Sequence, residues 1–193
     1  MYSTQAIAKL EKNGKYELIT IGRGWTSEDD LDIDIKYCGF CHTDIHLANN
    51  DWGRTEYPAV VGHEVAGIVT KVGANIKDVQ VGDHVGIGWY IDSCLNCETC
   101  NKGDEVNCLN RKTETATGKI LHGRIKTDNG KYTYGGWSKK ITANRKFVST
   151  IPKSYPLEKA GPVFCAGVTM FTPLKEHGAG IGGLNIGIMG KYV

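Results

Sequence analysis

At 193 residues, 40% of them hydrophobic, the chain can bury a real core as one domain, or one domain and a fraction. Its 23 basic residues nearly cancel 21 acidic ones, and metal-ligated thiolates bring the balance close to neutral, so no basic field recommends nucleic acid or an anionic membrane as partner. Seven cysteines, an odd number clustered at metal-ligand spacing, argue against a disulfide framework; with no signal-peptide core in Met1–Asn13 and no run of transmembrane length, a soluble cytoplasmic protein is expected.

From Thr4 to Gly22 two apolar stretches, Ala6-Ile7-Ala8 and Leu18-Ile19-Thr20-Ile21, flank Asn13-Gly14, which predicts a β-hairpin. Leu31–Tyr37 alternates apolar and charged residues, the pattern of a strand with one face in the core. Just beyond it stand Cys38, best read as a small buried filler, and Cys41. The segment His42–Asn49 is expected to form a short helix, eased in by Gly39, and Asn50-Asp51-Trp52-Gly53 a loop. Ala59-Val60-Val61 leads into Gly62-His63-Glu64. Cys41 and His63 are a soft thiolate and an imidazole, a pair that suits Zn²⁺, although either alone reads more readily as a core residue. Val65–Val72 is β-branched and strand-like, Gly73-Ala74-Asn75 turns the chain, and a strand pair is expected from Val79 to Trp89 around Gly82-Asp83.

Next comes Cys94-Leu95-Asn96-Cys97-Glu98-Thr99-Cys100, completed by Cys108. Four thiolates in one short loop read as a closed, structural zinc site with no position left for substrate. An iron–sulfur cluster of the C-x₂-C-x₂-C type is the rival. Its fourth cysteine follows after three residues and precedes proline, whereas here seven residues intervene and Leu109 follows, so zinc is preferred. Asn110–Tyr134 is polar and carries no motif, with His122 a surface histidine; Gly135-Gly136-Trp137-Ser138 opens a return strand reaching Phe147-Val148. After Ile151-Pro152 the composition shifts. This divides the chain into residues 1–155, which carry the zinc loop 94–108, and residues 156–193. Leu157–Lys175 is expected as helix, interrupted at Pro162 and closed near Pro173, with Cys165 riding on it. Cys41, His63 and Cys165 together would leave one tetrahedral position open, the mark of a catalytic zinc site. Two Zn²⁺ per chain are therefore expected.

The motifs Cys41-His42-Thr43-Asp44-Ile45-His46, Gly62-His63-Glu64-Val65-Ala66-Gly67, Val81-Gly82-Asp83-His84-Val85-Gly86, the four-cysteine loop and Cys165-Ala166-Gly167-Val168-Thr169 occur in order. Together they resemble the zinc-dependent medium-chain alcohol dehydrogenases, most closely the cinnamyl alcohol dehydrogenase-like branch, from Tyr2 to Gly190. The resemblance implies a mainly β fold with short helices: a GroES-like, partly open β-barrel with its zinc loop. Asn185–Gly190 then looks like the first, vestigial strand of a Rossmann α/β domain, with Gly190 opening the phosphate fingerprint.

The resemblance also implies an oxidoreductase that interconverts primary alcohols and aldehydes with NADP or NAD. Thr43 would take the alcohol proton and His46 pass it on. Asp44 would orient His63, Glu64 would stand behind the zinc and coordinate it transiently, and His42 and Thr169 would contact the cofactor. The plainer readings are a helix-surface His46, a helix-capping Asp44 and a salt-bridged Glu64. Trp52 and Trp89 fall at pocket-lining positions, or are simply core. A small alcohol or aldehyde is the implied partner, and the full-length form could pair as a homodimer. Two rivals stand beside this reading. One is a zinc-stabilised binding module, which has no use for the Cys41, His63, Cys165 set. The other is a truncated, non-catalytic zinc protein, because the sequence given stops at Val193, and such a chain is expected to bind zinc without turnover.

Overall fold

The computed structural model of this chain describes residues 1–24, 27–187 and 189. The N-terminal hairpin forms as expected: β1 (Tyr2–Lys9) and β2 (Tyr16–Gly24) pair antiparallel from Tyr2↔Arg23 to Lys9↔Tyr16. The alternating segment is β3 (Asp30–Cys38), which sends Leu31 and Ile33 fully into the core. Past it lie helix α1 (His42–Asn49) and β4 (Val65–Val72), both with the predicted limits. There follow β5 (His84–Ile87), β6 (Tyr90–Ser93), the short helix α2 (Glu98–Asn101), β7 (Lys112–Glu114), β8 (Lys126–Thr127), β9 (Lys140–Asn144), β10 (Ser149–Thr150) and α3 (Ala166–Glu176).

Among the described residues the strands make three antiparallel sheets, ordered β1-β2-β8, β10-β5-β4-β3-β9 and β6-β7. The five-stranded sheet carries the main core: Leu31, Ile33, Val65, Val69, Val85, Ile87 and Ile141 stack on one face. Each such side chain contributes about 1.5–3 kcal/mol by leaving water. The segment 135–139 joins the two larger sheets. Lys139 N–H donates to Gln5 O at 2.9 Å, and Ile35 N–H to Lys139 O at 2.9 Å. The result is a mainly β fold whose strands wrap partway around.

Four expectations are corrected. Residues 79–83 hold a turn, not a strand: Asp83 Oδ2 accepts from Gln80 N–H at 3.0 Å, and Gly82 takes a left-handed φ of 91°. Val79 is nonetheless buried in the core, which is why its β-branched character misled. The return strand is confined to β9. Gly135, Gly136 and Trp137 spend their N–H groups on Val60, Gly62 and Val61, and Asn144 starts a 3-10 turn at Arg145–Phe147 by accepting from Lys146 N–H. The expected helix from Leu157 begins instead as two 3-10 turns, Leu157–Lys159 and Gly161–Phe164, and becomes α-helical only at Ala166. Pro173 does not close α3, because a proline constrains the residues before it and not those after. Finally, Asn185–Gly187 carry no strand; Ile188 and Gly190, the expected start of the phosphate fingerprint, lie outside the described residues.

Candidate metal centre

Strand register brings the first two expected ligands together. Cys38, the last residue of β3, pairs with Val65, the first of β4. Cys41 therefore lies three residues past one strand end and His63 two residues before its neighbour. Gly39 N–H donates to Glu64 O at 2.9 Å and closes that end. Cys41 then caps the start of α1.

One side chain ties the arrangement. Asp44, fully buried, accepts from Cys41 N–H through Oδ2 at 3.0 Å, and through Oδ1 from Gly62 N–H at 2.8 Å and His63 Nδ1–H at 3.0 Å. The two readings of Asp44, helix-start residue and orienter of His63, hold at once. With Nδ1 committed, His63 is left with a buried Nε2 that has no hydrogen-bond partner.

The third ligand arrives from the other end of the chain. Gly86 and Gly88 leave room for Phe164: a Cβ on Gly86 would fall 1.9 Å from its ring. Phe164 so anchored holds the 3-10 turn Gly161–Phe164, and Cys165 emerges from it with its sulfur 3.9 Å from Cys41 Sγ. Glu64 fits in behind because residue 39 is glycine; a Cβ there would meet Glu64 Oε2 at 1.9 Å. One donor atom from each of Cys41, His63, Glu64 and Cys165 lies within 4.8 Å of the others. None of the plainer sequence signals marked Gly39, Gly86 or Phe164 as parts of the site; glycines within a predicted strand were the clue.

A zinc ion suits this cluster. Tetrahedral Zn²⁺ with bonds of about 2.3 Å places two thiolates roughly 3.8 Å apart, and a disulfide needs about 2 Å. The electrostatics also ask for a cation. Burial works against charge on His63, yet the Asp44 hydrogen bond and the Cys165 sulfur raise its pKa to about 10. Burial would raise the Cys41 thiol too, but hydrogen bonds from Thr43 N–H and hydroxyl bring it below its ordinary value. Glu64 is pushed up by burial, and no Lys or Arg among the described residues pairs with it, so the salt-bridged reading does not hold.

The second cluster is separate. The sulfurs of Cys97 and Cys100 are 3.5 Å apart, Cys94 and Cys100 3.9 Å, and Cys97 and Cys108 4.0 Å. The Thr99 hydroxyl and Cys100 N–H pull the Cys97 thiol down to about 5, the thiolate state that a metal requires. Both sets match zinc in donor type, number and spacing.

Around the first cluster, Thr43 stands beside Cys41, and His46 Nδ1–H donates to Asp51 Oδ2 at 2.9 Å. His42 is exposed and its ring lies 4.8 Å from that of His46; Thr169 is exposed one turn into α3, its N–H donating to Cys165 O. Trp89 meets the His63 ring edge-on at 4.9 Å, and Trp52, 46% exposed, lies 5.3 Å from the His46 ring. Cys38 is packing, as expected: burial lifts its thiol to about 12, and its sulfur fills the space left by Gly62 and Gly136. His122 is half-buried, and its Nε2–H donates to Arg111 O at 3.1 Å.

The geometry predicts that Gly86→Ala leaves a folded chain, at an overpacking cost of about 1–3 kcal/mol. By displacing Phe164 it should move Cys165 and release metal from the Cys41 cluster while the four-cysteine cluster keeps its own. Elemental analysis after dialysis reads this as a drop from two zinc ions to one; undiminished content would show that Phe164 does not position Cys165.

Comparison with known proteins adds independent weight. Residues 27–153 match the alcohol dehydrogenase GroES-like domain. Over 186 residues, 95% of this chain, the sequence is 42% identical to a probable cinnamyl alcohol dehydrogenase of Oryza sativa subsp. japonica, and covers 49% of it. A solved cinnamyl alcohol dehydrogenase from Sorghum bicolor superposes with a TM-score of 0.83 at 35% identity, over 92% of this chain and 49% of that one. The Helicobacter pylori cinnamyl alcohol dehydrogenase, solved in complex with NADP(H), superposes with a TM-score of 0.80 at 33% identity, over 90% and 48%. The chain spans about half the length of the relatives it matches.

Proposed function

The chain belongs to the zinc-dependent medium-chain alcohol dehydrogenase family, of which it represents the N-terminal portion, and from that premise we propose that it supplies the catalytic metal centre of an oxidoreductase acting on primary alcohols and aldehydes. What supports this reading is the convergence of Cys41, His63, Glu64 and Cys165 in a cluster distinct from the four-cysteine loop. A purely structural zinc module needs only the latter.

In this proposal residues 1–155 form the catalytic unit, and residues 156–193 bring in Cys165 and lead toward a nucleotide-binding unit. Zinc would supply Lewis-acid polarisation of the substrate oxygen, and NADP or NAD the redox partner. Asp44 keeps a proton of His63 on Nδ1, which leaves the buried Nε2 as the atom that would hold a zinc ion. Thr43, beside Cys41, would take the alcohol proton while giving up its own hydroxyl proton toward the ribose that the cofactor would supply, and His46, half-buried and held by Asp51, would release a proton from there to solvent. Glu64 stands ready as a transient fourth ligand. His42, Thr169 and Gly190 are the proposed cofactor contacts. Among the described residues no helix is long and apolar enough to cross a membrane, and we place the protein in the cytoplasm, with a homodimer as the full-length form.

The test has two parts. The purified chain should hold two zinc ions and His63→Ala one, with its circular dichroism kept. In a protein of the relatives' full length that carries this domain, nicotinamide absorbance should report turnover of primary alcohols or aldehydes, abolished by His63→Ala. A single zinc in the wild type, or turnover indifferent to His63→Ala, overturns the proposal.

A further inference from the structure

Away from the Cys41 cluster, and bordered at one side by Cys108 of the other, the structure holds a groove of about 530 Å³ lined by Arg54, Arg111, Lys112 and Lys119 with Tyr90 and Glu114. Four cations thus face one carboxylate, on a chain whose whole formal charge is only +2. Glu114 is already committed, its Oε1 accepting from Arg54 Nη1 at 2.7 Å. Glu56 stands at the hydroxyl of Tyr132, on the groove's border. Lys112 lies 4.8 Å over the Tyr90 ring and donates to Val106 O at 2.6 Å, so part of its donor capacity is used. The side chains of Arg111 and Lys119 have no acidic partner among the described residues. Arg111 and Thr117, also on this groove, both hold left-handed φ, 69° and 52°, a local cost of about 1–3 kcal/mol for residues with side chains. Two exposed cations without an acidic partner, Arg111 and Lys119, thus border one groove and can turn their donors to an anion.

Two chains of contact lead from residues of the groove, one to His46 and one to the ligand His63. The Arg54 guanidinium lies 5.2 Å over the Trp52 ring, which itself lies 5.3 Å from His46. Tyr90 packs at 6.4 Å against Trp89, whose ring meets His63 at 4.9 Å. Trp52 and Trp89 thus each stand between a residue that lines the groove and a histidine, His46 or His63.

We propose that this groove is an anion subsite: it takes the phosphate or carboxylate group of a small molecule whose uncharged end lies along Trp52 toward the metal centre. Guanidinium and ammonium donors in a partly enclosed groove suit such oxygens, and the size is that of a small-molecule site. The tethering part of the proposal rests on the oxidoreductase reading; the anion site itself does not, because it uses none of Cys41, His63, Glu64 and Cys165.

The experiment titrates the zinc-loaded chain at low ionic strength with inorganic phosphate and with glycerol 3-phosphate, following amide resonances, since salt screens such charges within about 8–10 Å. Phosphate should shift resonances of Arg111, Lys112 and Lys119, and the double variant Arg111→Glu, Lys119→Glu should weaken it at least ten-fold. These side chains are at the surface, so the variant's unchanged spectrum elsewhere confirms its fold. Glycerol 3-phosphate should bind more tightly than phosphate, and Trp52→Ala should erase the difference. Phosphate affinity unchanged in the double variant overturns the subsite. Equal affinity for the two ligands overturns the tethering. Loss of zinc in His63→Ala without loss of phosphate binding is the expected behaviour, so a failure of the oxidoreductase reading leaves a separate signature from a failure of this one.

Discussion

Replacing Cys97 by serine is expected to lower the melting temperature by more than about 10 °C, each kcal/mol being worth roughly 2–4 °C in a domain of this size. The reason is how little else holds residues 94–108. Their only regular structure is the four-residue α2 and the 3-10 turn Glu105–Asn107, both too short to persist alone. Of their side chains only Cys100, Glu105 and Cys108 are buried, and two of those are ligands themselves. Zinc bound to four cysteines therefore supplies the loop's folding free energy, on the order of 10 kcal/mol in small zinc domains, against a typical total stability of about 5–15. Serine matches cysteine in size but offers no thiolate. The wild-type site should also be acid-sensitive in a defined direction. The Cys97 thiol is depressed to about 5 by the Thr99 hydroxyl and Cys100 N–H, so its metal-binding form persists through neutrality and is lost as pH falls through about 5. Calorimetry with parallel zinc analysis decides; a variant that melts with the wild type would show that the loop does not depend on its metal.

Much of this was legible in the residues alone, and the boundary of legibility has a physical form. Alternation gave β3, because one face of Leu31–Ile35 is core and the other meets water, although Tyr37 at its end is exposed. Ligand type and spacing marked the four-cysteine loop, while Cys41, His63 and Cys165 were grouped by ligand type and family resemblance, since no spacing links them; the structure gathers each group closely enough to hold a metal. What failed were stretches whose backbone hydrogen bonds go to distant segments. Gly135–Trp137 looked like a strand by composition, but its donors serve the 60–62 loop, and no local pattern encodes that pairing. The two 3-10 turns before Cys165 are equally nonlocal in origin: their position depends on Phe164 entering a gap left by glycines 76 to 78 residues earlier. The cationic groove draws on residues from Arg54 to Tyr132 and was invisible in a sequence of near-neutral charge.

Asp44 offers the sharper test of the metal centre, because its removal strikes fold and metal together. The side chain has no exposure and accepts three hydrogen bonds, from Cys41 N–H, Gly62 N–H and His63 Nδ1–H. Asp44→Ala strands all three donors, at about 1–3 kcal/mol for each buried group left unpaired, so a loss of several kcal/mol is expected. It also frees the His63 ring to turn and the Cys41 and Gly62 backbones to drift apart, and loss of such a supporting partner typically weakens metal binding about 10–100-fold. Asp44→Asn separates the two effects. Its single amide oxygen can still accept from Gly62 and His63, as Oδ1 does now, but its NH₂ then faces the Cys41 N–H, donor against donor. Asn should therefore keep most of the His63 orientation while losing the cap on α1, and its zinc affinity should fall less than that of the alanine variant. Competition with a chelator, read separately for the two metals, orders the three proteins as wild type, Asn, Ala at the Cys41 cluster and leaves the four-cysteine cluster unmoved. If Asp44→Ala released the four-cysteine metal first, or melted with the wild type, Asp44 would not be what joins α1 to the His63 loop.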